Sequence, residues 1–422
     1  MPATPANVLP QSGRTSAFFY AKQSAVGVQA AATDILNNTS FDTIDNPNVE
    51  IFETLNGTLD AEDQTRDGLH DLTAKATSPL YSTQGQAFVT GGMGNDTYIA
   101  AATSFGALGG AYSPTAIYPA NQQIALAAAP PATPAGLADW VGMPISITNA
   151  GTTEYTQIVG VAGAVLSISP PLVNAYPTTS TVSTLANSHV NQPNVGSMVA
   201  TLPVYTLYAQ YARLFERQMM DCFIDSLHIK NNGNKLELDL SFVANQKIVY
   251  EGAPTTAAPT VAAEQNDSPQ ILRDVVLSTY FSATDTVPLP HTQLKTFDYG
   301  LTYAVQKEMT NATGAGVVQN ILGKRTQSLM FSELASNYGG TPTIHRDFVN
   351  TQKEMPAFML CRNNKSGTVV AMYFKRAVIS KYDPAGPTDA AVTFNGELKI
   401  LRDVVSGITA RIVVVNGTTS AY

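Results

Sequence analysis

The residues of this 422-residue chain that could do chemistry are few. Five histidines are present: His70, His189, His228, His291 and His345. None has the paired spacing of a zinc site, such as two histidines four apart on a helix or a histidine beside a Cys pair. His70-Asp71 has the composition of a general base with its orienting carboxylate. It lacks a nucleophile, because no serine sits in a Gly-x-Ser-x-Gly turn. Asp60, Glu62 and Asp63, followed by Asp67 and Asp71, resemble an acidic calcium loop only in charge. The glycine and closing glutamate of such a loop are misplaced, so a solvated acidic loop is expected. Gly91-Gly92-Met93-Gly94 and Gly314-Ala315-Gly316 lack the following Gly-Lys-Ser/Thr that cradles phosphates and are read as turns. Cys222 and Cys361 sit in apolar, strand-like stretches without metal or redox spacing. They could pair, but buried free thiols are the favoured reading. The single tryptophan, Trp140, is read as an aromatic plug for a small barrel in preference to a glycan anchor. The expectation is a structural chain with no catalytic, cofactor-binding or metal-binding residues.

Composition sharpens this. Charged residues make up 13% of the chain, about half of the ~25% usual in soluble domains. A surface so poor in charge repels its own copies weakly, and it fits a protein whose surface is covered by self-assembly. The net charge of −8 and the scattered basic residues exclude a protein that grips nucleic acid by its phosphates. No basic, then apolar, leader opens the sequence, so no secretory signal is expected. The uncharged run from Thr97 to Ala138 is broken by Gly109-Gly110 and five prolines, which excludes a bilayer helix.

Hydrophobic periodicity points to a mainly β architecture. The clearest element is a hairpin at Phe223–Tyr250, with Asn231-Asn232-Gly233-Asn234 as its turn. Leu236, Leu238, Leu240 and Phe242 form its buried face, and Lys235, Glu237, Asp239 and Ser241 its polar one. Phe223, Leu227 and Ile229 are assigned to one face of the first strand. A second hairpin, Ala357–Lys381, turns at Asn363–Gly367 and alternates little, which suggests burial on both faces. Shorter strands are expected at Val49–Leu59, Leu69–Ala76, Gly300–Gln306, Val392–Leu401 and Thr409–Val415. Met143–Thr148, Tyr155–Val161 and Val165–Ser169 form a small β-unit closed by Pro170-Pro171. Three helix candidates are read: Val204–Met220, with strand left open for its start, Gln270–Ser278, and Gln327–Asn337 as a short helix or another strand. Between Thr97 and Ala212 the only formal charges are Asp139 and Glu154, a shift that marks an inserted unit. The division is an N-terminal arm (1–44), a main domain (45–114 and 191–422) and a low-charge inserted β domain (115–190). No short-period repeat is visible.

Asp221–Ile229, the turn and Leu236–Ala244 resemble the paired strands of phage tail tube proteins. Gly323–Phe331 resembles that family's second sheet, and Val369–Pro384 with Val392–Leu398 its closing strands. The insertion at Ala135–Leu172 resembles the β-rich unit of larger members. The resemblance implies a tail-tube-type β-sandwich or barrel with one or two flanking helices. It also implies a virion protein whose copies form stacked rings, commonly hexameric, assembled in the host cytoplasm. Its implied partners are other copies of itself, tail terminator and tail tip proteins, a tape measure protein in the lumen, and DNA in transit; no membrane is implied. Lys235, Glu237 and Asp239 are the implied lumen-facing residues, in a channel that is typically electronegative. The competing reading is a β-sandwich adhesin or virion decoration module. An enzyme would require scattered His and Asp residues to converge in space.

Overall fold

The computed structural model describes residues 16–416 apart from 37–39, 48–49, 53–63, 67–69, 81, 194–201, 213, 233–234, 245–247, 260–273, 311–316, 335–342, 363–367, 386–391, 404 and 406. The chain is mainly β, built of large antiparallel sheets with a half-barrel.

The first strands are β1 (Ala17–Lys22), β2 (Asp34–Leu36), β3 (Ser40–Pro47), β4 (Glu50–Phe52), β5 (Gln64–Arg66) and β6 (His70–Pro79). Helix α1 (Ser82–Met93) and β7 (Asp96–Ile99) follow. Next come β8 (Ser104–Ala107), β9 (Gln123–Ala125), β10 (Pro144–Asn149), β11 (Thr152–Ala162), β12 (Val165–Ser169) and β13 (Thr181–Thr184). The chain continues with β14 (Ser188–Asn191), β15 (Tyr205–Tyr211), β16 (Phe215–Asn232), β17 (Lys235–Ala244) and β18 (Tyr250–Gly252). Then follow β19 (Asp274–Thr279), β20 (Leu289–Pro290), β21 (Leu294–Thr310) and β22 (Val317–Leu334). The last are β23 (Met355–Arg362), β24 (Val369–Ala385), β25 (Thr393–Leu401) and β26 (Arg411–Val415).

Two long strands organise the main sheet. β16 pairs with β15 and β18 over its first half, then with β17 and β21 over its second. β24 pairs with β23 and β26 over its first half and with β25 over its second. One antiparallel run of eight strands results, ordered β3-β6-β17-β16-β21-β22-β25-β24. Each long strand carries a β-bulge, at Asp225 and at Ser380. A bulge adds one residue and reverses which side chains face inward. The core therefore takes Cys222 and Ile224 before the first bulge and Leu227 and Ile229 after it. Phe223 lies outside this core cluster, so its expected place beside Leu227 and Ile229 is corrected.

The topology is a tandem duplication. β1, β2, β3, β6, β15, β16, β17 and β18 recur as β19, β20, β21, β22, β23, β24, β25 and β26, pair for pair. Met219, Cys222, Ile224 and Leu227 enter the core with the same spacing as Phe374, Ala377, Ile379 and Tyr382. Superposing the registers sets Ser40-Phe41-Asp42 of β3 on Thr296-Phe297-Asp298 of β21.

Between α1 and β15 the first unit carries an insertion. Its six-stranded sheet, ordered β8-β13-β10-β11-β12-β9, spans Ser104 to Thr184, whereas β7 and β14 on either side join the main sheet. The three strands expected between Met143 and Ser169 are present as β10, β11 and β12. The segment assigned to an arm, where described, contributes β1, β2 and the start of β3 to the main sheet.

The helix candidates at Val204–Met220 and Gln270–Ser278 are corrected, and Gln327–Asn337, where described, takes its strand alternative. Val204–Met220 is β15 and the start of β16, turning near Ala212, because its aromatic and β-branched residues are buried on a sheet. Described residues of Gln270–Ser278 belong to β19, and those of Gln327–Asn337 run to Leu334 in β22. Helix α1 absorbs Gly91-Gly92-Met93, expected as a turn. There the glycines let the helix lie close on the sheet: a Cβ on Gly91 would come within 2.8 Å of Ile224 Cδ1.

Polar side chains join the insertion to the second unit. Gln157 Nε2 donates to the carbonyls of Gly142 and Met372 at 3.0 Å each. Arg411, 1% exposed, donates to the Asp139 carboxylate at 3.0 Å and to the carbonyls of Asp139 and Val141. Asp139 keeps 42% of its side chain in solvent, so removing the arginine mainly orphans the carbonyls and empties a packed site. Arg411→Met is expected to destabilise the chain by about 2–3 kcal/mol. The readout is a lower urea midpoint in equilibrium unfolding.

Candidate functional site

One face of the eight-stranded sheet carries the core and helix α1, and the other is polar. Lys235, Glu237, Asp239 and Ser241 of β17 lie on the polar face because Leu236, Leu238, Leu240 and Phe242 fill the core. The register continues this face across the sheet. Ser226, His228 and Lys230 stand opposite Ser241, Asp239 and Glu237, then Thr302, Gly300 and Asp298 follow on β21. Thr326, Ser328 and Met330 come next on β22, with Glu397 and Lys399 on β25.

Its charges are interleaved. Lys230 Nζ binds the Asp239 carboxylate, and that contact raises the lysine pKa against the opposing effect of burial. His228 Nδ1 lies 2.9 Å from Asp298 Oδ1. This hydrogen bond is the main cause raising the His228 pKa, with desolvation acting the other way. Lys381 and Asp383 approach to 4.0 Å on β24. Of the three expected site residues, Asp239 is ion-paired, Glu237 is 6% exposed beside Lys230, and Lys235 is half-buried near the hairpin end. The face is a mosaic of both signs and hydroxyls.

The sheet ends on two open edges. Among the described residues β3 pairs only with β6, and the second half of β24 pairs only with β25. Strand directions alternate across all eight, so the two edge strands run in opposite senses. An unpaired edge presents a row of N–H and C=O groups that another strand can take up.

The other candidate residues are dispersed. His70 lies on β6 opposite Pro47, and not in a loop. His189 Nδ1 lies 2.8 Å from Asp96 Oδ2, both fully buried where β14 pairs with β7. Cys222 and Cys361 are buried free thiols, and burial pushes both pKa values up. Trp140 is 5% exposed, donates to the Pro131 carbonyl at 2.8 Å and meets Phe105 edge to face. Asp60, Glu62, Asp63, Asp67 and Gly314–Gly316 lie outside the described residues. Among the described residues no group of three or more His, Cys, Asp and Glu could hold a metal ion, and no helix is long and apolar enough to cross a membrane.

Periodicity missed one constellation. Thr279 Oγ1 lies 2.8 Å from His291 Nε2, and His291 Nδ1 lies 2.8 Å from Glu333 Oε2, while Tyr382 donates to the other Glu333 oxygen. A hydroxyl, an imidazole and a carboxylate in series is the arrangement of nucleophilic hydrolases. Here Thr279, His291 and Glu333 are only 1%, 3% and 8% exposed, with Phe281 and Phe331 rings on either side. They lie on β19, on β22 and just after β20, which is why no local motif announced them. Burial of all three makes the arrangement a clamp between strands. No protein-family model matches this sequence, and no curated protein matches it.

The clamp has a pH signature. Burial alone would raise the Glu333 pKa, but the hydrogen bond and charge of His291 and the Tyr382 hydroxyl outweigh it and leave the value below 4.5. A depressed carboxylate adds stability that is present above its unfolded pKa and is lost as pH falls through the folded value. Glu333→Gln is therefore expected to lower the melting temperature at pH 7, with the gap to wild type closing as pH falls below 4.5. Thermal melts of both proteins from pH 7 to 3 check this.

Proposed function

We propose that this chain is a virion structural protein, the tail tube subunit of a long-tailed bacteriophage, and not an enzyme. Its copies polymerise into stacked rings around a channel through which the phage DNA passes. The observation that carries the reading is the eight-stranded sheet that, among the described residues, is polar on one face, packed on the other and open at both edges. Edge-to-edge pairing of copies would extend such a sheet into a closed wall held by main-chain hydrogen bonds. The 13% charge content supports a surface destined to be covered by neighbours.

In this reading the face carrying Lys235, Glu237 and Asp239 lines the channel. Phosphate-binding proteins cluster Lys and Arg, and on this face each described lysine or histidine contact is to a carboxylate. Such a wall holds no concentrated positive patch, and DNA slides past it. The proposed partners are further copies of the chain, tail terminator and tip proteins, and a tape measure protein filling the channel before ejection. No cofactor is required. The insertion, a β-unit with its own core, is the feature that favours the adhesin or decoration reading.

Negative-stain microscopy of the purified chain separates the two: stacked rings with an axial channel are expected, and a stable monomer at high concentration overturns the tube. In phage carrying Glu237→Lys with Asp239→Lys, tubes are expected to form while DNA ejection slows. Unchanged ejection kinetics would remove these residues from the channel wall.

A further inference from the structure

The duplication supplies its own pattern for how one copy meets the next. Within the eight-stranded run, each unit contributes four strands, β3-β6-β17-β16 and β21-β22-β25-β24, and they join where Ser226–Lys230 of β16 pairs with Asp298–Thr302 of β21. The equivalent outer strands are β24 of the second unit and β3 of the first. These are the two open edges.

We propose that β24 of one copy pairs with β3 of the next in the register of the β16–β21 junction, and that three copies close the ring. This rests on the tube reading and specifies its interface and its number. Carrying the junction across places Lys381 opposite Asn46, Tyr382 opposite Asp45 and Asp383 opposite Ile44. Asp42 stands on β3 where Asp298 stands on β21, so it comes opposite Ala385 as Asp298 comes opposite Lys230. Pro384 lacks an N–H, a placement suited to an edge strand.

The number three follows from geometry. Neighbouring strands lie about 4.8 Å apart and barrel strands tilt by ~40°, so eight strands span an arc of roughly 50 Å. After ~5 Å of side chain on each wall, channels of roughly 20, 40 and 90 Å result for two, three and six copies. A DNA duplex is about 20 Å across. Two copies leave no room for its hydration, and six leave a bore several duplexes wide. Three copies carry six bulged hairpins, two from each chain.

Cysteine cross-linking tests the interface. Ile44 and Asp383 lie on the same face at opposite edges of the chain's eight-stranded run, too far apart to bridge within one molecule. The Ile44→Cys, Asp383→Cys double variant, assembled and mildly oxidised, is expected to give a covalent ladder ending at three chains on non-reducing gels. The wild type gives none, since Cys222 and Cys361 are 0% and 1% exposed. Native mass spectrometry of unlinked rings reads the same number. A ladder ending at six, or rings by microscopy without cross-links, overturns the three-copy interface and leaves the tube reading standing. Monomers without rings or cross-links overturn both.

Discussion

The main sheet depends on one device, a strand long enough to serve two neighbourhoods with a bulge where it changes allegiance. β16 has 18 residues and β24 has 17, about three times the usual strand length of five or six. A strand of that length cannot keep one side-chain parity and still bury the correct face along its whole course. Asp225 and Ser380 absorb the conflict. Before each bulge the strand belongs to a short sheet with β15 or β23, and after it to the eight-stranded run. Without the extra residue, Leu227 and Tyr382 would turn to the polar face, and both halves of the core would lose their continuity.

What the sequence disclosed follows from this. Strands that obey period two along their length were legible: β17, with its Leu and Phe face, and β10 and β12 of the insertion. Misreadings cluster where parity shifts. Phe223 was placed by extrapolating the alternation of Leu227 and Ile229 backward through a bulge that carries no sequence mark. Val204–Met220 imitates helical spacing because a turn near Ala212, at φ +51°, breaks its alternation. Helix α1 was hidden for the opposite reason. Its glycines at 91 and 92 read as turn residues, yet Gly91 is where Tyr205 and Ile224 of the sheet come too close for a side chain. The charged mosaic was legible as to which side chains share a face, but not as to which carboxylate meets which cation. Asp298 reaches His228 across 70 residues.

The duplication was invisible because its two units keep pairing and bulge position and little else. The core demands apolar bulk at a position, and Met219 or Phe374, Cys222 or Ala377 and Leu227 or Tyr382 satisfy it with different shapes. Backbone hydrogen bonds define the topology, and they are indifferent to side-chain identity. The Phe-Asp pair shared by β3 and β21 becomes evidence only after the register has set the two strands in correspondence.

The insertion breaks the equivalence of the units, and its position explains a pattern that the hairpin at Ala357–Lys381 posed. Residues of β23 and of β24 before its bulge are buried on both faces. One face, with Ala357, Met359, Val370 and Met372, belongs to the main core. The other, with Leu360, Val369 and Ala371, packs against the core of the insertion, which springs from the first unit. Loss of alternation there reports a second layer on the sheet. That layer ties the units together through Arg411 and Gln157, and through Gly142, whose φ of +89° and close approach to the Tyr373 ring leave no room for a Cβ. Asp139 serves this contact, while Glu154 accepts the backbone N–H groups of Val173 and Asn174. The only two charges of a 116-residue stretch from Thr97 to Ala212 are thus both spent on internal structure. A segment so depleted in charge keeps carboxylates where the backbone or a buried arginine needs them.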